Sequence, residues 1–222
     1  MATFTAPRLW SSTVGKKAVM AVTGVVLLLY VVAHMAANLK IFVGPESLDG
    51  YGRWLRGLGA GAFGYGGLIW IARVVLVAAV VLHMTAAVQL ARRAHAARPV
   101  AYQVRPRVHG SYAARTMRWG GVLIALFVVY HVLDITTGTV NPHGVPGEDY
   151  ANVVASFQRW YVVLFYLFAV VALGLHLRHG AASALRSLGS ARAVQPVAVG
   201  LAVLVTAGFA VVPLSVYFGL VK

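Results

Sequence analysis

The sequence predicts an all-α integral membrane bundle of five transmembrane helices, and three observations predict it. Of its 222 residues, 60% are hydrophobic and only 11% are charged, with a mean hydropathy of +0.78, a balance found in membrane proteins and not in soluble domains. Five apolar segments approach or exceed the roughly 20 residues that cross a bilayer: about 18 to 39, 66 to 91, 119 to 138, 160 to 180 and 195 to 219. Basic residues collect in alternate gaps between them, as the positive-inside rule requires. A single membrane domain over residues 1–222 is expected.

The first span is announced by "TVGKKAVMAVTGVVLLLYVVAH", where a lysine pair precedes an apolar run. The run is too long for the core of a cleaved signal, so a retained span is expected. The stretch "VGPESLDGYGRWLRGLGAGAFGYGG" then reads as a loop; its glycines are not a phosphate cradle, because no lysine follows them in P-loop spacing. A basic loop, "RRAHAARPVAYQVRPRVHGSYAARTMR", separates the second and third spans. The third closes at "TTGTVNPHGVPGEDY", and Gly189 and Pro196 punctuate the link to the fifth.

Charge sets the direction of the spans. Thirteen of the nineteen Lys and Arg lie in the N-terminal tail, the 92–118 loop and the 178–192 loop, which are expected on the cytoplasmic side. All five acids, Glu46, Asp49, Asp134, Glu148 and Asp149, lie in or beside the opposite loops. The expected topology is N-terminus cytoplasmic, C-terminus outside. The same distribution accounts for the net charge of +14 without nucleic acid. The absence of cysteine excludes disulfides, thiolate chemistry and cysteine-ligated iron–sulfur clusters within this chain.

Four histidines stand inside otherwise apolar runs: His34 in "LLLYVVAHMAANL", His83 in "VVLHMTAAV", His131 in "FVVYHVLDI" and His176 in "LGLHLRHGA". An imidazole without a partner is costly in such surroundings. With the predicted directions, His34 and His131 share an outer level, and His83 and His176 an inner one, roughly 10 to 20 Å apart at 1.5 Å per residue. Two imidazole pairs at two depths, each drawn from two helices, suit two six-coordinate haems stacked across the bilayer. Neutral imidazole brings a lone pair to iron, adds no charge to a low-dielectric interior, and can donate its other ring proton to a carbonyl. The plainer alternative is a set of helix-to-helix hydrogen bonds with nothing bound. His179, near the face of His176, is expected as a polar cap or propionate contact, and His95, His109 and His143 as solvated loop residues.

The segments "VGKKAVMAVTGVVLLLYVVAHMAANL", "RTMRWGGVLIALFVVYHVLDITTGTVNP", "VPGEDYANVVASFQ" and "LGLHLRHGAASALRSLG" resemble the cytochrome b-558 subunit of succinate dehydrogenase, the five-helix di-haem type of succinate:quinone oxidoreductase. The resemblance covers nearly the whole chain. It implies a subunit of a bacterial cytoplasmic membrane complex that binds two b haems and anchors a flavoprotein and an iron–sulfur protein on the cytoplasmic face. Electrons would pass between the iron–sulfur protein and a membrane quinone, menaquinone for this type; FAD and the iron–sulfur clusters would belong to the partners. By position, His83 and His176 would hold the inner, proximal haem, and His34 and His131 the outer, distal one. The related five-helix fumarate reductases carry a glutamate two residues before the helix-four ligand, on a transmembrane proton path; this chain has Gly174 there.

Around those ligands, Arg73 inside the second span and Arg159 at the start of the fourth are candidate outer propionate partners, with Arg115, Arg118 and Arg186 candidates for the inner haem. An outer quinone region is sketched by Tyr30, Glu46, Asp49, Tyr51, Arg53, Trp54 and Asp134, residue types that also populate ordinary membrane interfaces. An inner quinone site near Trp10, Ser12 and His95 is the other option. Two rival functions stand beside this reading: the cytochrome b of another respiratory complex, and a haem-free proton or ion transporter that uses the histidines as relays. Trimeric or other higher assembly, the quinone species and the direction of electron flow are open at this level.

Overall fold

The computed structural model describes residues 9–97, 112–187 and 194–222. His109, Gly189, Arg8, Arg192, the basic residues of 98–111 and the side chain of Arg115 lie outside the described residues. The elements are α1 (Thr13–Asn38, continued by a 3₁₀ segment Leu39–Val43), α2 (Pro45–Gly57), α3 (Ala60–Phe63), α4 (Gly67–Ala96), α5 (Tyr112–His131, continued by a π turn Val132–Thr136), α6 (Asp149–Phe157), α7 (Trp160–Ser187) and α8 (Val194–Tyr217). There is no strand among the described residues.

Five helices are long and apolar enough to cross a membrane: Thr13–Val43, Gly67–Ala96, Thr116–Thr136, Trp160–Arg186 and Val194–Tyr217. The chain is therefore a multi-pass helical membrane protein. Each span coincides with an expected one, and the first, second and fourth run on into polar flanks that apolarity alone does not delimit. Ser12 shows why α1 starts early: its hydroxyl accepts the Gly15 N–H at 2.9 Å, a side-chain cap on an otherwise unsatisfied donor. Three short helices, α2, α3 and α6, fall where only loops were expected. Pro45 at the first position and Glu46 in the first turn start α2, and Asp149 starts α6.

The chain divides into two compact units. The first comprises Met1–Tyr30 and Trp70–His109. In it, the Lys16 ammonium is buried against the amide of Gln89 and lies 4.7 Å from the Trp10 ring centroid. Arg93 donates to the Ser11 carbonyl at 2.8 Å and the Thr13 hydroxyl at 3.3 Å. These polar contacts join the start of α1 to the end of α4.

The second unit comprises Val31–Ile69 and Gly110–Lys222. Here α5 and α7 run antiparallel, since Phe127 meets Phe165 near one end and Gly121 faces His176 toward the other. Helices α7 and α8 are also antiparallel, with Ala182 beside Val194 and Ala198 at one end and Val162 packed with Val212 and Val216 at the other. Small residues allow the close approach, and dispersion between well-fitted surfaces holds helices together where lipid removes the usual hydrophobic drive. Gly174 is buried against Thr206, and Gly208 against the Met35 thioether. The main core of this unit gathers Ile41, Leu48, Val154, Phe157, Tyr166 and Val221, so α2 and α6 close one end of the α7–α8 pair. Large apolar side chains such as Trp119 (79% exposed), Leu126 (67%) and Phe168 (62%) face outward, as a lipid-facing surface demands.

Candidate functional site

The second unit brings His34 and His131 together, with ring centroids 5.8 Å apart and ring planes at 80°. Two metal–nitrogen bonds of about 2 Å each, with half a ring added at either side, put two imidazoles on one metal roughly 6 Å apart, centre to centre. Edge-to-face aromatic packing gives the same separation. The ring nitrogens therefore matter more than the distance. His131 is the last residue of α5, and Phe127, one turn earlier, stacks on it at 5.8 Å; Phe209 of α8 lies 5.9 Å from His34.

Behind His131 the helix widens. The Thr137 N–H reaches the Val132 carbonyl at 2.9 Å, five residues back, and this π turn carries Asp134. Asp134 is fully buried (0% exposed). Its carboxylate accepts from the Ser156 hydroxyl at 2.5 Å, the Tyr166 hydroxyl at 2.9 Å, the Arg159 guanidinium at 3.2 Å and the Asn141 amide at 3.4 Å. A charge in such a place persists only when paired and hydrogen-bonded. Tyr166 in turn lies 3.3 Å from His131 Nδ1. The result is a continuous polar chain, His131, Tyr166, Asp134, Arg159, set among Phe127, Phe157 and Tyr130.

His83 belongs to the first unit. Its Nδ1 lies 3.1 Å from the Met20 carbonyl and 3.2 Å from the Thr23 hydroxyl. A carbonyl only accepts, and Thr23 donates its own proton to the Val19 carbonyl at 2.7 Å, so His83 carries its proton on Nδ1 and its lone pair on Nε2. Gly24 lies beside this ring: a Cβ there would stand 3.4 Å from His83 Cε1. His176, in α7 of the second unit, faces Gly121 of α5, where a Cβ would stand 3.8 Å from its Cε1. Gly121 precedes His131 by ten residues on α5, which is about 15 Å along the axis. Within this unit, His131 and His176 thus occupy different levels.

The donor set fits a bis-histidine haem: paired imidazoles, an Nδ1–H held by a protein acceptor on His83, and small residues beside the rings. Among the described residues no group of three or more His, Asp or Glu gathers in the manner of a protein-only metal cage.

The remaining predicted residues are dispersed. Arg159 is committed to Asp134, to the Ser156 hydroxyl and carbonyl, and to the Val140 carbonyl. Arg73 lies 4.8 Å from the Trp70 ring centroid and is exposed, as are Arg118 and Arg186, while His179 is half-buried. In the outer quinone set, Tyr51 stacks on Trp54 at 5.6 Å and Lys40 lies 5.4 Å from the Tyr51 ring. Asp49 accepts the Tyr150 N–H at 2.8 Å, pinning α6 to α2, and Arg56 pairs with Asp149 at 3.7 Å. Glu46 and Arg53 are exposed, and Tyr30 belongs to the first unit. The hydrogen bonds to Asp134 come from a different set, of which Tyr166, Ser156 and Asn141 were not anticipated. His95 sits in the final turn of α4, and His143 pairs with Glu148 at 2.7 Å.

No protein-family model, curated protein or solved structure matches this chain.

Proposed function

We propose that this chain is the di-haem cytochrome b membrane anchor of a bacterial succinate:quinone oxidoreductase. It would be oriented with its N-terminus cytoplasmic and its C-terminus outside, and carry electrons between an iron–sulfur partner and membrane menaquinone. The observation that carries the reading is the His34–His131 pair, two imidazoles that separate membrane-spanning helices bring together within apolar surroundings. The sequence resemblance supplies the rest. His34 and His131 would ligate the outer haem, and His83 and His176 remain the ligands proposed for the inner one. Bound haem supplies a reversible one-electron carrier. The protein's part is to present neutral nitrogen donors, fix their tautomers and exclude water from the span. Oxidation of succinate would take place on a flavoprotein partner.

Gly174 bears on the proton route. Where the five-helix fumarate reductases have a carboxylate, this helix lies against Thr206, and a side chain at that position would collide with the threonine hydroxyl. That position therefore offers no titratable group to a proton path.

Haem per polypeptide tests the reading directly. Purified protein in mild detergent should give two haems b by reduced pyridine haemochrome, and His34→Ala and His83→Ala should each lose one. Folded protein without haem would overturn the proposal and favour histidine proton relays.

A further inference from the structure

The polar chain behind His131 has a direction that the chemistry of its donors reveals. The Asp134 carboxylate is met by Arg159 and Asn141 nitrogens, groups that only donate in these contacts. It is the natural acceptor for the single Tyr166 hydroxyl proton, 2.9 Å away. With that proton directed to Asp134, the phenolic oxygen turns its lone pairs to His131 Nδ1, 3.3 Å away, and the imidazole must be the donor. His131 thereby keeps its proton on Nδ1 and its lone pair on Nε2. His83 reaches the same tautomer by another means, a neutral backbone carbonyl.

We propose that Tyr166 and Asp134 are positioning residues for the outer haem ligand: they fix the tautomer of His131 and, through a phenol polarised by a buried carboxylate, make its Nε2 a stronger electron donor to iron. The tautomer is a property of the chain; the effect on iron rests on the haem reading above. A stronger acceptor at Nδ1 gives the ring imidazolate character, which favours oxidised iron and lowers its reduction potential.

The test is an optical redox titration of the detergent-purified, haem-loaded protein, with electron paramagnetic resonance of the oxidised low-spin haems, on wild type, Tyr166→Phe and Asp134→Asn. Phenylalanine keeps the ring that packs 4.9 Å from Phe127 and 4.8 Å from Phe157, and removes only the hydroxyl. Both haems should remain in Tyr166→Phe, with one midpoint potential higher, its resonance shifted, and the other haem unmoved. Asp134→Asn keeps the volume and can still accept from Tyr166, so it should move the same midpoint in the same direction by less; it carries the test if the phenylalanine variant does not fold. Two haems with unchanged midpoints and resonances would overturn the relay and leave the haem reading standing. Equal shifts of both haems would also overturn it, as a global perturbation. Wild type without haem would overturn both.

Discussion

Asp134 concentrates more structural consequence than any other single side chain described. Removing its carboxylate leaves the Arg159 guanidinium, whose side chain is 21% exposed, without its ion-pair partner. Breaking such a pair costs about 3–5 kcal/mol, because a largely desolvated charge is stranded. Asp134→Ala should therefore unfold at markedly lower temperature in detergent, and Asp134→Ala with Arg159→Met should recover part of the loss, as differential scanning fluorimetry can show. A second residue-scale effect concerns Asp149. Burial raises its carboxyl above the ordinary range, Arg56 works against that shift, and Asp49 adds to it. A carboxyl with a raised folded-state value contributes most below its unfolded value, and the contribution is lost as pH rises through the folded value. Wild type should thus lose stability relative to Asp149→Asn as pH climbs from about 4 toward neutral, measured as the difference between their melting temperatures at each pH. The histidines were legible residue by residue, because an imidazole in an apolar run has few reasons to be there. Tyr166 and Ser156 were not, because a hydroxyl in or beside a span is ordinary until the carboxylate it faces is known.

At the scale of elements, the five spans declared themselves by length and apolarity, while the short helices and the turn after α5 did not. Both α2 and α6 carried start signals, Pro45 with Glu46 and Asp149, but the glycines around them weighed toward loop. Their stability comes from packing: Leu48, Val154 and Phe157 are buried in the core with Val212 and Val216 of α8. Short isolated helices are marginal without such contacts. The turn that follows the π segment depends on backbone conformation. Gly138 and Gly144 have φ of +70° and +62°, and a Cβ on Gly138 would stand 2.7 Å from the Gly144 Cα. Gly138→Ala should cost about 1–3 kcal/mol through left-handed strain alone, read from thermal unfolding, with steric overlap adding to it. Between α7 and α8, Gly174→Leu overpacks the Thr206 contact and should cost about 1–3 kcal/mol. Gly174→Ala should be milder, and milder still beside Thr206→Ala, because the smaller partner removes the colliding hydroxyl.

For the molecule as a whole, the charge pattern sets an orientation that labelling can check. The chain contains no cysteine, so a single introduced thiol reports its own side of the membrane without background. Gly61 and Ala97 are exposed and flank the second span. With a membrane-impermeant maleimide, Gly61→Cys should react in cells whose inner membrane is reached from outside, and Ala97→Cys only after lysis; the reverse pattern would invert the topology.

The sequence alone determined that this is a five-span membrane protein, roughly where each span lies, and which four histidines stand out. Those features depend on local composition and on spacing along one helix, which the lipid environment translates directly into structure. Only the tertiary structure decided that His34 and His131 lie side by side, that Arg159 serves Asp134, and that Tyr166 links that carboxylate to a histidine. Each of those facts joins residues from separate segments of the chain, and the packing that brings them together follows from which small faces meet and where one helix widens. No single segment encodes that.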